Sequence, residues 1–162
     1  MKRAIALLLC ALLLATAFLG CADKGSSSSK GGDKPYIAII SMGFQHQFWQ
    51  AVKKGAEQAA EEFGATITFE GPESETMVDK QVEMLKAAIA KKPDAICIAA
   101  IDSAAVLPDL KEAAEKGIKI IGFDSGVEGD VALTTCATDN IAASALAAKH
   151  MAELIGGKGE IR

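Results

Sequence analysis

Pro35-Tyr36-Ile37-Ala38-Ile39-Ile40-Ser41, followed after a short loop by the run Phe48 to Phe63, carries the decisive pattern of this chain. The near-continuous apolar character of Tyr36–Ser41 predicts a strand buried on both faces. Behind it, Phe48, Val52, Ala56, Ala59, Ala60 and Phe63 recur at helical spacing and predict a helix with one apolar stripe. Gly64 then supplies a C-terminal stop. A buried strand handed directly to an amphipathic helix is half of a parallel crossover unit.

The pattern repeats. Ala65–Phe69 predicts a second strand, and Val78, Val82, Leu85 and Ile89 mark a second helix that Pro93 limits. Thr76 with Asp79 resembles a capping box ahead of that helix. Asp94–Ala99 is the third strand and Ser103–Lys116 the third helix, which Pro108 either makes irregular or opens after a short turn. Ile118–Phe123 and a short Val131–Cys136 are the fourth and fifth strands. Asn140 is expected to cap a helix over Ile141–Ile155, and Glu160-Ile161-Arg162 looks like a further strand opening. Strands alternating with helices in this way predict an α/β fold, a doubly wound parallel sheet with helices on both faces. Ligands of such sheets sit outside the carboxyl ends of the strands. The candidate region is thus residues 42–49, 71–75, 101–103, 124–129 and 137–140.

Those windows hold few chemically pointed residues. Phe48 and Trp49 are adjacent at a helix opening, about 100° apart on the helix, so both cannot face the core. Helix–sheet packing accounts for most of Phe48, and Trp49 is the ring expected toward the ligand. A flat ring beside Gln45, His46 and Gln47 suits a sugar, with C–H faces to stack and hydroxyls to bond. Asp124 and Ser125 follow the fourth strand. Asp124 either accepts two hydrogen bonds from neighbouring hydroxyls or serves as a turn former in Asp-Ser-Gly. Asp102 is a ligand candidate after the third strand, with Ser103 read first as the cap of the next helix.

Enzyme motifs are missing from the same windows. No phosphate-binding G-x-x-x-x-G-K-[ST], no G-x-G-x-x-G after the first strand and no G-x-S-x-G are found. His46 and His150 lie too far apart in sequence to nominate a nucleophile–base pair. The chain is read as a non-enzyme that needs no cofactor and no metal. Two histidines and four scattered cysteines supply little for a metal site. Cys97 and Cys136 read as small buried hydrophobes in strand-like runs, a disulfide being the alternative in an exported protein. With 17 Lys+Arg against 21 Asp+Glu and no basic block beyond Lys2-Arg3, nucleic acid is not the partner.

The amino terminus reads as an address. Lys2-Arg3 precede an apolar run from Ala4 to Leu19, then Gly20-Cys21 and a Ser/Gly/Lys-rich stretch. Sixteen residues at about 1.5 Å each span about 24 Å, short of the roughly 30 Å of a hydrocarbon core. A secretory signal over residues 1–20 fits better, with 21–34 as a flexible tether and 35–162 as the folded lobe. Phe18-Leu19-Gly20-Cys21 resembles a bacterial lipobox, although Phe18 stands where Leu is usual. That resemblance implies lipid attachment at Cys21 and an extracytoplasmic protein held to the membrane by that anchor alone.

Ile37-Ala38-Ile39-Ile40, Phe48-Trp49, Lys54-Gly55-Ala56, Pro93-Asp94-Ala95-Ile96, Gly117-Ile118, Phe123-Asp124-Ser125 and Thr138-Asp139-Asn140 together resemble the sugar-binding proteins of bacterial ABC importers, of the ribose- and galactose-binding type. The resemblance covers about residues 35–162. It implies the first lobe of a type I periplasmic-binding-protein fold, with a second lobe expected beyond this sequence and a sugar held where the two close. In that family an aromatic pair follows the first strand, here Phe48 and Trp49, and an Asn lies two residues before it, where this chain has His46. An Asp-Arg pair follows the fourth strand; here it is Asp124-Ser125, and Ser125 lacks the charged bidentate fork of Arg. The implied role is capture of a sugar for delivery to an ABC permease by hinge closure, with no bond made or broken. The alternative is a ligand-sensing accessory protein for a chemoreceptor or sensor kinase built on the same lobe.

If Cys21 is the lipid attachment site, the intact mass of membrane-extracted protein will correspond to an acylated chain beginning at Cys21. A soluble product cleaved elsewhere and indifferent to Cys21→Ala would refute the assignment.

Overall fold

A computed structural model describes residues 34–160. The signal segment 1–20, Cys21, all of the tether but Lys34, and the last two residues of the strand expected at 160–162 lie outside the described residues.

Five parallel strands form one sheet in the order β2-β1-β3-β4-β5. They are β1 (Tyr36–Ile40), β2 (Thr66–Glu70), β3 (Ala95–Ile98), β4 (Lys119–Phe123) and β5 (Thr135–Cys136), separated by α1 (Gln47–Phe63), α2 (Val78–Ala90) and α3 (Ser103–Glu115), with α4 (Asn140–Leu154) last. The α/β, parallel reading of the sequence stands. The chain steps from β1 to β2 on one side and then across β1 to β3 on the other. With right-handed crossovers, that reversal sends α1 to one face of the sheet and α2 and α3 to the other.

The two faces are covered unequally. Ala38 pairs with Ile96, Ile40 with Ile98, and Ile96 with Ile120, so these residues share one face by the strand's two-residue period. Leu85, Ala88 and Ile89 of α2 and Val106, Leu110 and Ala113 of α3 close over them, and the whole cluster is buried. On the opposite face Ile39 is buried, but Cys97, Ile121 and Phe123 are only half-buried, because α1 covers only part of it.

Several local expectations shift. In α1 the sheet-facing row is Trp49, Val52, Ala56 and Ala60, while Phe63 is 76% exposed. The register is set by Trp49, whose larger surface and ring N–H both find partners inside. Gly64 ends α1 as expected, at φ 68° with its N–H on the Ala60 carbonyl. No capping box forms before α2: Met77 occupies the cap without a side-chain bond, and the Thr76 hydroxyl pairs with Ser74 at 2.9 Å. Pro108 lies inside a continuous α3 rather than breaking or opening it. The caps of α3 and α4 are each one residue earlier than expected. Asp102, not Ser103, accepts from the Ala105 N–H at 3.0 Å, and Asp139, not Asn140, accepts from the Ala142 N–H at 2.9 Å. Of the strand expected over 131–136 only the last two residues are regular, although the Leu133 N–H still bonds the Ile120 carbonyl at 2.9 Å. All described residues of α4 are exposed, including Ile141 and Leu146.

The cysteines also depart from expectation. Cys136 is exposed on the last strand and Cys97 half-buried two strands away, and both thiols are free. Desolvation pushes the Cys97 thiol above its ordinary range. A maleimide should therefore label Cys136 well before Cys97 in the native protein, and both alike in denaturant. Equal native rates would mean that the sheet does not shelter Cys97.

Candidate functional site

The carboxyl ends of the five strands open on one side, and the sequence-predicted residues divide there into three groups. Phe48 and Asp124 come together. With Ile39, Val52, Ala56, Phe123, Cys136, Ala137 and Thr138 they line an open groove of about 480 Å³ that runs from the ends of β4 and β5 along the sheet face beside the first half of α1. Phe48 keeps 47% of its surface exposed at the groove.

Trp49 behaves otherwise than expected. It is 2% exposed, and the ring left outward is Phe48. The indole lies edge-on to Phe48, with centroids 4.8 Å apart, and edge-on to Phe123 at 6.3 Å. Its Nε1–H donates to Glu75 Oε1 at 2.7 Å, so a carboxylate from the loop after β2 is held against the loop after β1. Glu75 lies in a strand-end window, but nothing in its local sequence pairs it with a tryptophan 26 residues earlier. Gly71 is required for the same approach of loops: a Cβ there would lie 2.3 Å from Ser41 Oγ and 2.8 Å from the Gly43 carbonyl.

The remaining candidates are partly committed to the backbone. His46 is the N-cap of α1, its Nδ1 accepting from the Phe48 N–H at 3.2 Å. That bond fixes the neutral tautomer with the hydrogen on Nε2, leaving a donor on an exposed ring. Asp102 caps α3 through Oδ1. Ser125 Oγ donates to the Ala100 carbonyl at 2.9 Å, tying the loop after β4 to the loop after β3. Ser103 Oγ, no longer a cap, accepts from the Glu128 N–H.

Asp124 is one of two non-glycine residues with positive φ among the described residues, at 55°. A turn closed by the Gly126 N–H on the Phe123 carbonyl, and the Asp124 N–H on the Cys136 carbonyl at 3.0 Å, hold it there. Such a conformation costs an L-residue roughly 1–2 kcal/mol, less for Asp than for most. The cost is met exactly where the strand-end rule places ligand, in a carboxylate that lines the groove.

The charge of this end is one-sided. The loops 41–46, 71–77, 99–102, 124–128 and 137–139 carry Glu73, Glu75, Asp102, Asp124, Glu128 and Asp139, with neither Lys nor Arg. At the opposite end, Lys92, Lys116 and Lys119 line a cavity of about 660 Å³ with Asp94. The strand-end site therefore offers carboxylate acceptors and an aromatic edge, with an imidazole N–H as a donor.

A family model described as a periplasmic binding protein domain matches residues 37–162. The D-apiose import binding protein of Actinobacillus succinogenes is 28% identical over 129 residues, 79% of this chain and 41% of the relative. A solved structure described as an ABC transporter, LacI family transcriptional regulator from Brachyspira murdochii is 44% identical with a TM-score of 0.70, over 76% of this chain and 40% of that one. An ABC transporter solute-binding protein from Agrobacterium vitis, bound with α-D-tagatopyranose, is 38% identical with a TM-score of 0.70, over 78% of this chain and 45% of that one. The chain thus spans about two-fifths to half of the length of these relatives.

Glu75→Ala should free the indole N–H and shift the emission of Trp49, the one tryptophan of the chain, while Glu75→Gln, which keeps an acceptor, should shift it less. Identical spectra for all three proteins would show that the contact does not persist in solution.

Proposed function

We propose that this chain, which belongs to the periplasmic binding protein domain family, is the sugar-capturing lobe of an extracytoplasmic solute-binding protein serving an ABC importer. The observation that carries the reading is the meeting of Phe48 and Asp124 in one groove at the carboxyl ends of a parallel sheet. Phe48 offers an aromatic surface for the C–H face of a sugar ring, and Asp124 accepts from adjacent hydroxyls. His46, the N-cap of the same helix, brings an imidazole N–H to this end of the sheet. Relatives named for D-apiose import and bound with tagatopyranose support a monosaccharide as the ligand class.

The acidic rim narrows that class. Six carboxylates on loops that hold no Lys or Arg of their own, against the Lys53 ammonium over the Phe44 ring, disfavour sugar phosphates and sugar acids, so we read the ligand as an uncharged monosaccharide. In this reading residues 1–20 are the leader, Cys21 carries the lipid, 21–34 is the tether and 35–162 is one lobe. A second lobe closes on the sugar, and the closed form docks on the permease.

Asp124→Gly in the full-length protein separates ligand chemistry from turn formation. Glycine relieves the positive φ, so the melting temperature should hold or rise while the carboxylate is lost. Hydrogen bonds to a charged group contribute roughly 1.5–3 kcal/mol each, so losing two should weaken binding of the cognate monosaccharide about a hundredfold or more. Calorimetric titration with neutral monosaccharides and their phosphates reads both claims. Undiminished affinity in Asp124→Gly, or preference for a sugar phosphate, would overturn them.

A further inference from the structure

We infer that Gln81 is a positioning residue for the ligand site, its carboxamide fixing the spacing of the loops after β1 and β3. The inference rests on the strand-end reading of the site given above. Gln81 is fully buried on α2, where it interrupts the stripe of Val78, Val82, Leu85 and Ile89. Nε2 donates to the Ser41 carbonyl at 3.0 Å and to the Ala99 carbonyl at 2.8 Å, and Oε1 accepts from the Ile101 N–H at 2.9 Å.

The location gives these bonds their meaning. The β1–β3 ladder ends at Ile40 and Ile98, with a last bond from the Ala99 N–H to the Ile40 carbonyl at 2.9 Å. This is the switch point of the sheet, where the chain has reversed its direction of growth and the two following helices leave on opposite faces. Just past it the carbonyls of Ser41 and Ala99 meet the two amide hydrogens of Gln81. The orientation is forced, since a flipped amide would set Oε1 against two carbonyl oxygens. One bonded partner on each side leads into the site: Ser41 opens the loop to His46 and Phe48, and Ile101 precedes Asp102.

The same row of bonds runs on in both directions. The Ser41 N–H bonds the Glu70 carbonyl at 2.9 Å and the Ser41 hydroxyl the Gly43 carbonyl at 2.6 Å. Ser125 bonds the Ala100 carbonyl. Gln81 is thus the central link holding the ends of β2, β1, β3 and β4 in one arrangement. Leucine fits the space but supplies neither donor nor acceptor, and an ionised glutamate would oppose three oxygens to each other.

The test compares full-length wild type, Gln81→Leu and Gln81→Glu. One readout is titration with D-ribose, D-arabinose, D-tagatose and D-galactose; the other is amide hydrogen exchange relative to wild type at the same pH. In Gln81→Leu, exchange should rise about tenfold in residues 41–46 and 99–103 and stay unchanged in 119–123, with affinity for the bound sugar falling about tenfold. Gln81→Glu should behave like Gln81→Leu at pH 8 and regain affinity toward pH 5, where its protonated carboxyl can donate to one carbonyl, while wild type changes little. A uniform rise in exchange, or a lowered melting temperature with unchanged affinity, would reduce Gln81 to a structural residue and overturn the inference. Wild type binding none of the four sugars would count against the monosaccharide reading, whereas the exchange contrast would still decide whether Gln81 fixes the two loops.

Discussion

Because β2 lies on one side of β1 and β3 on the other, the chain must reverse its direction of growth at the centre of the sheet. The helices that follow these two adjacent parallel strands leave on opposite faces, so the loops after β1 and β3 part beyond the switch point. The candidate site residues are carried by these loops and by the neighbouring loop after β4. The backbone there has run out of ladder partners, so buried carbonyls need donors from side chains. Gln81 and Ser125 supply them by linking segments distant in the chain, and the Ser41 hydroxyl donates to the Gly43 carbonyl within its own loop. The site is therefore braced from below by side-chain-to-backbone bonds, while Phe48 and Asp124 above them keep their surface for the groove.

The unequal cover of the two sheet faces follows from the same reversal. After it, α2 and α3 pack side by side over Ala38, Ile40, Ile96, Ile98 and Ile120, and that half of the molecule is sealed. On the other face α1 is the helix seen to pack among the described residues, and Cys97, Ile121 and Phe123 stay half-open there, giving the groove an apolar floor beside its carboxylate. The helix compensates by burying its largest residue. Trp49 fills the space between the loop at Gly43 and the end of β4, and its N–H is satisfied by Glu75 rather than by backbone. One ring thereby links the loops after β1 and β2 to the last residue of β4.

What was legible in the sequence is what depends on period and order. The isoleucine-rich strands, the helical stripes and the glycine after α1 are local patterns, and they lead directly to the parallel sheet and to the loops that form its ligand end. What was not legible depends on partners distant in the chain. Phe48 and Trp49 are equally apolar as letters, and only the acceptor at Glu75 decides which of them turns inward. Gln81 drew no reading from the sequence, because its three backbone partners lie just past the ends of two strands distant in the chain. The one-residue displacement of the α3 and α4 caps has a simpler origin: Asp102-Ser103 and Asp139-Asn140 each offer two competent capping residues in succession, and the aspartate at the earlier position took the role in both.

The hydrogen-bonding inventory of the site carries the argument on to selectivity. Ser125 brings no charge to this end, and its hydroxyl proton is spent on the Ala100 carbonyl. The lobe accordingly offers a ligand mostly acceptors: Asp124, the free oxygen of Asp102 and the exposed carboxylate of Glu75. Carboxylates accept from hydroxyls and repel anions, so in the proposed reading the ligand face turned to this lobe is rich in O–H and carries no anion. A ring oxygen, which can only accept, is poorly served by that set, except at the Nε2–H of His46. If the proposed ligand class is right, the sugar turns its vicinal hydroxyls toward Asp124 and its ring oxygen either toward His46 or away from this lobe. Changing His46 rather than Asp124 would then alter the preference between ring forms and epimers while leaving the demand for adjacent hydroxyls in place.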